Sequence, residues 1–380
     1  GQLPTSGQAV RADWRIWVLS ALVLALPCLQ LLPLPPSLWQ QLPGREQERV
    51  AAYLAGNESG WMPWSMTPAR TFASLLAMLP PLLAMTMVAK LNREQRGVVI
   101  SAIAVTVLAS LLFGALQLSA GSSGDWRPYG NDNLGFLNGF QANRNAQADV
   151  LLIGLVAGAV TLRERRDRIG RMLTNWLLGG LVLSIVLGCV LTGSRAGIVL
   201  IPIALAAVVG LHFARRIGLR GALGGLAGSI GALIVGYIAL RGTGPVSRVI
   251  ARFSLGRDFR FELWEDTRFA IAQYWPFGSG IGSFKPVFVA AERLEVVDPS
   301  KPVRAHNDYL ELVLEGGVFG LGLLALAAIW LGWILWRAWR SRAHDAVRGD
   351  RSAADSTAQG QVIFAVAVFL IIALHSVVDY

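Results

Sequence analysis

Charge is scarce in this chain. Only 15% of its 380 residues are Asp, Glu, Lys or Arg, where a soluble domain carries about a quarter. Cysteine is scarcer still. Cys28 and Cys189 both fall inside apolar runs, so no disulfide framework is read and both are expected to pack as small residues. The four histidines and the scattered carboxylates show no metal-ligand spacing, so neither a metal nor a cofactor is expected. Internal repeats and a low-complexity tail are absent. No signal-peptide pattern marks the start. Because the chain opens on Gly1 and its last apolar run stops at Tyr380, a trimmed chain is expected.

What the chain has instead is apolar sequence. Hydrophobic residues make up 54% of it, in runs of about 20, the length a helix needs to cross a bilayer. Spans are expected at about 16–34, 70–89, 98–119, 146–162, 173–192, 196–213, 221–240, 308–336 and 361–380. The expected fold class is therefore an all-α polytopic integral membrane protein with about nine or more transmembrane helices. Charge alternates as this parsing requires. With the N-terminus inside, the inner segments hold 18 basic residues, the short outer segments six, and the long loop 241–305 ten. The net charge of +10 is thus mostly topological, and nucleic acid is not an expected partner. The domain layout that follows is seven spans with two shorter outer loops in 1–240, a large outer cap in 241–305, and two spans in 306–380.

Three outer segments are long enough to act. The first, about 35–69, is rich in Pro and in Trp39, Trp61 and Trp64, which are read chiefly as aromatics at the lipid headgroups, with glycan stacking as the alternative. The second, about 120–145, is a polar loop. It runs Gly139-Phe140-Gln141-Ala142-Asn143-Arg144-Asn145-Ala146-Gln147-Ala148-Asp149 into the next span, where polar groups must face protein or a wet cavity. The third, 241–305, is too long for a plain connection and is expected to fold as a cap. A helix is expected over 257–275, with Arg257, Arg260, Trp264 and Arg268 on one arc and Phe259, Leu263, Ala270 and Tyr274 on another, ended by Pro276. Gly278-Ser279-Gly280-Ile281-Gly282 reads as a tight turn, since no strand–turn–helix context supports a nucleotide loop.

Chemistry-bearing residues gather on the outer face. Arg195, in Gly193-Ser194-Arg195-Ala196-Gly197, is either a snorkelling anchor or an anion ligand. Its outer location and its place at a helix start favour the second. His306, in Arg304-Ala305-His306-Asn307-Asp308, is either a helix cap or a base. Asn307 and Asp308 can cap, which leaves the imidazole available. Glu311 and Glu315, one turn apart, are expected to hold Arg304 or another arginine structurally. Arg144, Arg268, Arg304 and His375 (with Asp379) lie toward the same face as further candidate substrate contacts. Several guanidinium forks call for a phosphate. A base among them suits transfer of a group from a diphosphate to a hydroxyl, with the arginines stabilising the leaving charge.

These segments together resemble the O-antigen ligase and polymerase superfamily, bacterial envelope glycosyltransferases that use polyprenyl-diphosphate-linked glycans. The likeness is carried by Gly139–Asp149, Gly193–Gly197, Arg260 through Trp264 to Gly280, and His306–Glu311 through Gly317, about half the chain. It implies a multi-pass protein of the bacterial inner membrane, with a helical periplasmic cap over a lateral cavity. It also implies metal-independent, inverting transfer from undecaprenyl diphosphate to an acceptor glycan or lipid-linked sugar at the periplasmic face. By motif position Arg195 and Arg260 would hold the diphosphate, with Arg268 as the fallback for Arg260, and His306 would be the catalytic base. Spans beyond the nine are implied as well. The Trp-rich first outer segment and Asn143-Arg144-Asn145 favour a polysaccharide repeat polymerase slightly over a lipopolysaccharide ligase, with protein glycosylation third. The alternative from another class is a transporter or flippase of lipid-linked sugar or an organic anion. Candidate residues at one face rather than at the midplane weigh against it.

Overall fold

The computed structural model describes residues 14–120, 129, 134–212, 260–295, 302–348 and 353–377. Among them the chain is all-α apart from one two-stranded pairing, and it is a multi-pass membrane protein. In chain order come α1 (Trp14–Leu31), β1 (Pro33–Leu34), α2 (Pro36–Trp39), α3 (Glu46–Leu54), β2 (Met62–Pro63) and α4 (Pro68–Lys90). Then follow α5 (Arg93–Ser119), α6 (Arg144–Glu164), α7 (Arg166–Ile169), α8 (Arg171–Thr192) and α9 (Arg195–His212). After the next described stretch begins come α10 (Arg260–Tyr274), α11 (Phe284–Ala291), α12 (Asp308–Arg348) and α13 (Ala353–His375). Among the described residues eight helices are long and apolar enough to cross a bilayer, and each lies within a few residues of an expected span. The ninth expected span, 221–240, lies outside the described residues.

The chain divides into two compact units, 1–91 with 258–350, and 92–257 with 351–380. In the second unit α6 is the core helix. Leu151, Leu152, Leu155, Val156, Ala157, Ala159 and Val160 are fully buried among α5, α8, α9 and α13. Between helices in lipid the attraction is close packing rather than water exclusion. Accordingly Gly154 lies so near Val107 that a Cβ there would stand 2.2 Å from its Cγ1.

In the first unit α1, α4 and α12 are joined by the short elements. The strands pair antiparallel, Pro33 with Pro63 and Leu34 with Met62. This fold corrects part of the reading of the Trp-rich segment. Trp39 is completely buried and donates its indole N–H to the Gly60 carbonyl at 3.0 Å, and Trp64 donates to the Gly278 carbonyl at 3.1 Å. Only Trp61 is largely exposed. Tight turns in the segment supply carbonyls that an indole can reach, so these rings serve as internal staples. Arg45 is likewise buried, and its guanidinium is satisfied by the carbonyls of Pro63 and Trp64.

The feature that organises this unit is a break in α12. Gly317 has φ 54° and ψ −142°, outside any helical conformation. The carbonyls one turn earlier therefore lose their intrahelical donors. They are taken up by the glycine-rich loop after α10: Ser279 N–H donates to the Leu314 carbonyl and Gly280 N–H to the Glu315 carbonyl, both at 2.9 Å. The Gln30 side chain on α1 adds a bond to the Glu315 carbonyl at 3.0 Å and accepts from Ile281 N–H at 2.8 Å. Beyond the break, Val318 N–H donates to the Pro276 carbonyl at 2.9 Å. The loop is thus the turn expected from its glycines, and its function is to complete a broken helix. Glu315 departs from the expectation that it holds an arginine, because its carboxylate accepts the Phe284 N–H at the start of α11.

An alanine at Gly317 combines a backbone conformation that L-residues avoid with a Cβ 2.1 Å from the Pro276 oxygen. Gly317→Ala is expected to cost more than about 3 kcal/mol or to prevent accumulation of folded protein. Gly56→Ala, with φ 63° but open space around it, should cost only about 1–2 kcal/mol. Thermal unfolding in detergent followed by tryptophan fluorescence checks the contrast; equal midpoints would refute it.

Candidate functional site

The described residues carry the expected site side chains in two constellations, one in each unit. In the first unit the polar segment ahead of α12 is pinned at several points. Asn307, not His306, is the helix cap: its Oδ1 accepts the Leu310 N–H at 3.0 Å, and its carbonyl accepts the Glu311 N–H at 3.1 Å. Glu311, one turn into the helix, reaches back. One carboxylate oxygen takes the Arg304 guanidinium and the other accepts the Ala305 N–H at 3.1 Å. From α10, the Trp264 indole N–H donates to the Ala305 carbonyl at 3.0 Å. His306 lies between these anchors, half-buried, with φ 52°.

Helix α10 has the two arcs read from its spacing. Leu263, Ala270 and Tyr274 are buried against Phe284, Val287, Phe288 and Leu314. Arg260 and Trp264 are half-buried and Arg268 is exposed. Arg260 and Arg268 are each one helical turn from Trp264, and so flank the indole that holds the residue before His306. Arg257 and Phe259 lie outside the described residues. Burial pushes the Tyr274 phenol above its ordinary value, with Glu48 adding to the shift, so this ring stays neutral and packs against Gly44. Sequence reasoning missed Asp266. It is 2% exposed on the buried arc and paired with Arg293 just beyond α11. The available signal was a carboxylate three residues after Leu263 on an apolar stripe, a position that demands a cation.

In the second unit Arg144 opens α6 and Arg195 opens α9. Their helix starts are neighbours, since Gly197 lies against Ala148 so closely that a Cβ would stand 2.4 Å from the alanine's. Phe136 joins them. The Arg144 guanidinium stands 4.5 Å from the ring centroid, and the ring's edge lies against Gly193 in the turn before Arg195. Phe136 was not singled out from sequence; its only mark is an aromatic between Gly135 and Gly139. Two adjacent helix N-termini and two arginines make this end of the unit electropositive, a setting that favours an anion.

The polar residues that enter α6 face protein, as their depth requires. Ser110 donates to the Gln147 side chain at 3.0 Å, and Gln117 donates to the Gly139 carbonyl at 3.1 Å. Asp149 meets the Nδ1 of His375, which is 2% exposed near the end of α13. Asp379 lies outside the described residues. The first unit therefore contains His306, Arg260, Arg268 and Arg304, and the second contains Arg144, Arg195 and His375.

Residues 179–325 match the family model Wzy_C, described as O-Antigen ligase. Over that stretch the chain is similar to the O-antigen ligase family, which supports the likeness to the O-antigen ligase and polymerase superfamily. It covers most of α8, all of α9, α10 and α11, and α12 to just past its break, so Arg195, Arg260, Arg268, Arg304 and His306 lie inside it and Arg144 and His375 outside. No curated protein matches the chain. That likeness points to a glycosyltransferase-type enzyme of envelope polysaccharide biosynthesis, working on lipid-linked glycans in a membrane.

The Asp149–His375 couple yields a stability test. Asp149→Ala or His375→Ala alone strips a buried partner and should cost about 2 kcal/mol or more. The double variant should lose less than the sum by about 1 kcal/mol or more. Unfolding midpoints of the four proteins give the coupling; strict additivity would mean that the pair does not tie α13 to α6.

Proposed function

We propose that this chain belongs to that superfamily and transfers a glycan from undecaprenyl diphosphate to an acceptor sugar hydroxyl at the periplasmic face of a bacterial inner membrane. One observation carries the reading. Within the family-matched stretch, the helix that carries Arg260 and Arg268 bonds through its Trp264 indole to the carbonyl of Ala305, the residue before His306, whose backbone is left-handed. A base and guanidinium groups brought to one substrate are the equipment for displacing a diphosphate with an alcohol.

In this mechanism His306 accepts the proton of the acceptor hydroxyl as its oxygen attacks the anomeric carbon. The bond from that carbon to the diphosphate oxygen breaks, its electron pair leaves with the diphosphate, and attack from the opposite side inverts the anomeric centre. Arg260 and Arg195 are assigned to the diphosphate, where charge grows as the bond breaks. Protons and charges balance without a metal in this scheme. Arg268 is the alternate for Arg260, and Arg144, Arg304 and His375 are assigned to substrate or to holding those that touch it. The pairing of Arg304 with Glu311 and of His375 with Asp149 favours the holding role for these two.

A repeat polymerase stays slightly ahead of a lipopolysaccharide ligase. That preference now rests on Asn143-Arg144-Asn145 more than on the tryptophans, since Trp39 and Trp64 serve as internal staples.

With purified donor lipid, His306→Ala is expected to keep donor binding but lose transfer by about 100-fold or more. Arg195→Ala and Arg260→Ala should each weaken donor affinity. Normal transfer by His306→Ala would remove it as the base, and unchanged affinity in both arginine variants would remove them from the diphosphate. Offering a lipid-linked repeat or a lipid A core as acceptor separates polymerase from ligase. Movement of intact donor without any transfer would support the transporter reading instead.

A further inference from the structure

We infer that Trp264 and Glu311 are positioning residues for His306, acting by immobilising the two peptide planes ahead of it. The inference rests on the proposed role of His306 for its catalytic meaning, and on backbone geometry alone for its conformational content.

The left-handed region is disfavoured for a residue with a Cβ, so His306 holds φ 52° only if its neighbours are fixed on both sides. On the C-terminal side the fixing comes from α12 itself, whose first turn is capped by Asn307. On the N-terminal side no regular structure is available, since 302–307 is loop. Two side chains substitute for it. The Ala305 carbonyl and the His306 N–H belong to one peptide plane, and the Trp264 indole holds that plane through the carbonyl at 3.0 Å. The Ala305 N–H belongs to the preceding plane, and Glu311 holds it at 3.1 Å while its other oxygen pairs with Arg304. Ala305 is wholly buried, so water does not compete for either bond. His306 is thus the single joint between a clamped loop and a capped helix, and its rotation is limited to what the two clamps allow.

The two residues differ in what they anchor to. Trp264 ties the joint to α10, the helix that carries Arg260 and Arg268. Glu311 ties it to α12. Losing either should let the imidazole drift relative to a bound acceptor while leaving the arginines in place. The expected signature is a fall in kcat with little change in KM for donor.

The test uses the full chain in proteoliposomes with polyprenyl-diphosphate-linked glycan and acceptor, together with NMR of ring-labelled histidine. Only four histidines are present, so the His306 signal is assigned by its loss in His306→Ala. Trp264→Phe keeps an aromatic ring but removes the N–H donor, and it should lower kcat about tenfold with donor KM within about twofold. Glu311→Ala should fall further. Glu311→Gln, which keeps an acceptor oxygen for Ala305 but not the charge facing Arg304, should recover part of the loss. In Trp264→Phe and Glu311→Ala the His306 ring signals should shift or broaden; in Glu311→Gln they should return toward the wild-type positions. Unmoved His306 signals in Trp264→Phe and Glu311→Ala would overturn the inference, whatever happens to the rate, since a lost rate would then arise elsewhere. Should Glu311→Ala fail to fold, unmoved signals in Trp264→Phe alone overturn it, because that variant keeps the ring and loses only the N–H donor. Moved signals with full activity in every variant, His306→Ala included, would leave the positioning intact and refute the catalytic role of His306 instead.

Discussion

The first unit depends on satisfying the carbonyls that α12 gives up at Gly317. In the apolar core of a bilayer an unpaired carbonyl costs several kcal/mol, because no water can take its place. A break in a spanning helix therefore persists only where other protein groups supply donors. Here the donors are the backbone N–H groups of Ser279 and Gly280 and the Gln30 amide. That requirement fixes the loop after α10 against α12, which fixes the C-terminal end of α10 and, through Phe284 and Glu315, the start of α11. Trp264 is positioned because α10 is, and Ala305 because Trp264 is. The His306 backbone thus sits at the end of a chain of consequences that begins with one glycine.

The second unit meets the same constraint differently. Its helices carry buried polar groups that pair between neighbouring helices: Gln147 with Ser110 from α5, Asp149 with His375 from α13. The adjoining starts of α6 and α9 can approach because a glycine meets an alanine there. Each helix start has its own cap, Asn143 for α6 and Ser194 for α9. Helix dipoles and guanidinium charge then add, which is the electrostatic condition that an anionic leaving group requires.

What the sequence made legible follows from the range of each interaction. Spans are local sums of hydropathy, so all eight described ones fall near their expected bounds. The arcs of α10 and the turn at Gly278 are also local, set by spacing within a few residues. Capping by Asn307 was legible for the same reason. What stayed hidden depends on partners far along the chain. Trp39 looked like an interfacial aromatic until the carbonyl of Gly60 came within reach of its indole. Glu311 and Glu315 looked equivalent, one turn apart, yet one faces the segment before the helix and the other faces α11. Nothing in a single sequence says which neighbour a turn of helix will meet. Of the candidate site, the residue types and their order could be read. That Trp264 grips the peptide before His306 could not, because 41 residues separate them.

The break also explains how one helix serves two environments. Before Gly317, α12 is buried among protein: Leu314, Glu315 and Glu311 are at most 7% exposed. After it the chain presents Val318, Phe319, Leu326 and Ile329 outward, an apolar surface fit for lipid. A straight helix would carry one facial pattern through both parts, and the carboxylates would set the azimuth of the lipid-facing stripe. Because Gly317 resets the backbone, the first turns can be oriented by Glu311 and Glu315 toward the loop and α11 while the span beyond is oriented by lipid and by its own neighbours. The carboxylates can thus hold a reactive segment without drawing polar surface into the bilayer, and this separation allows a rigid polar constellation to stand directly on a membrane span.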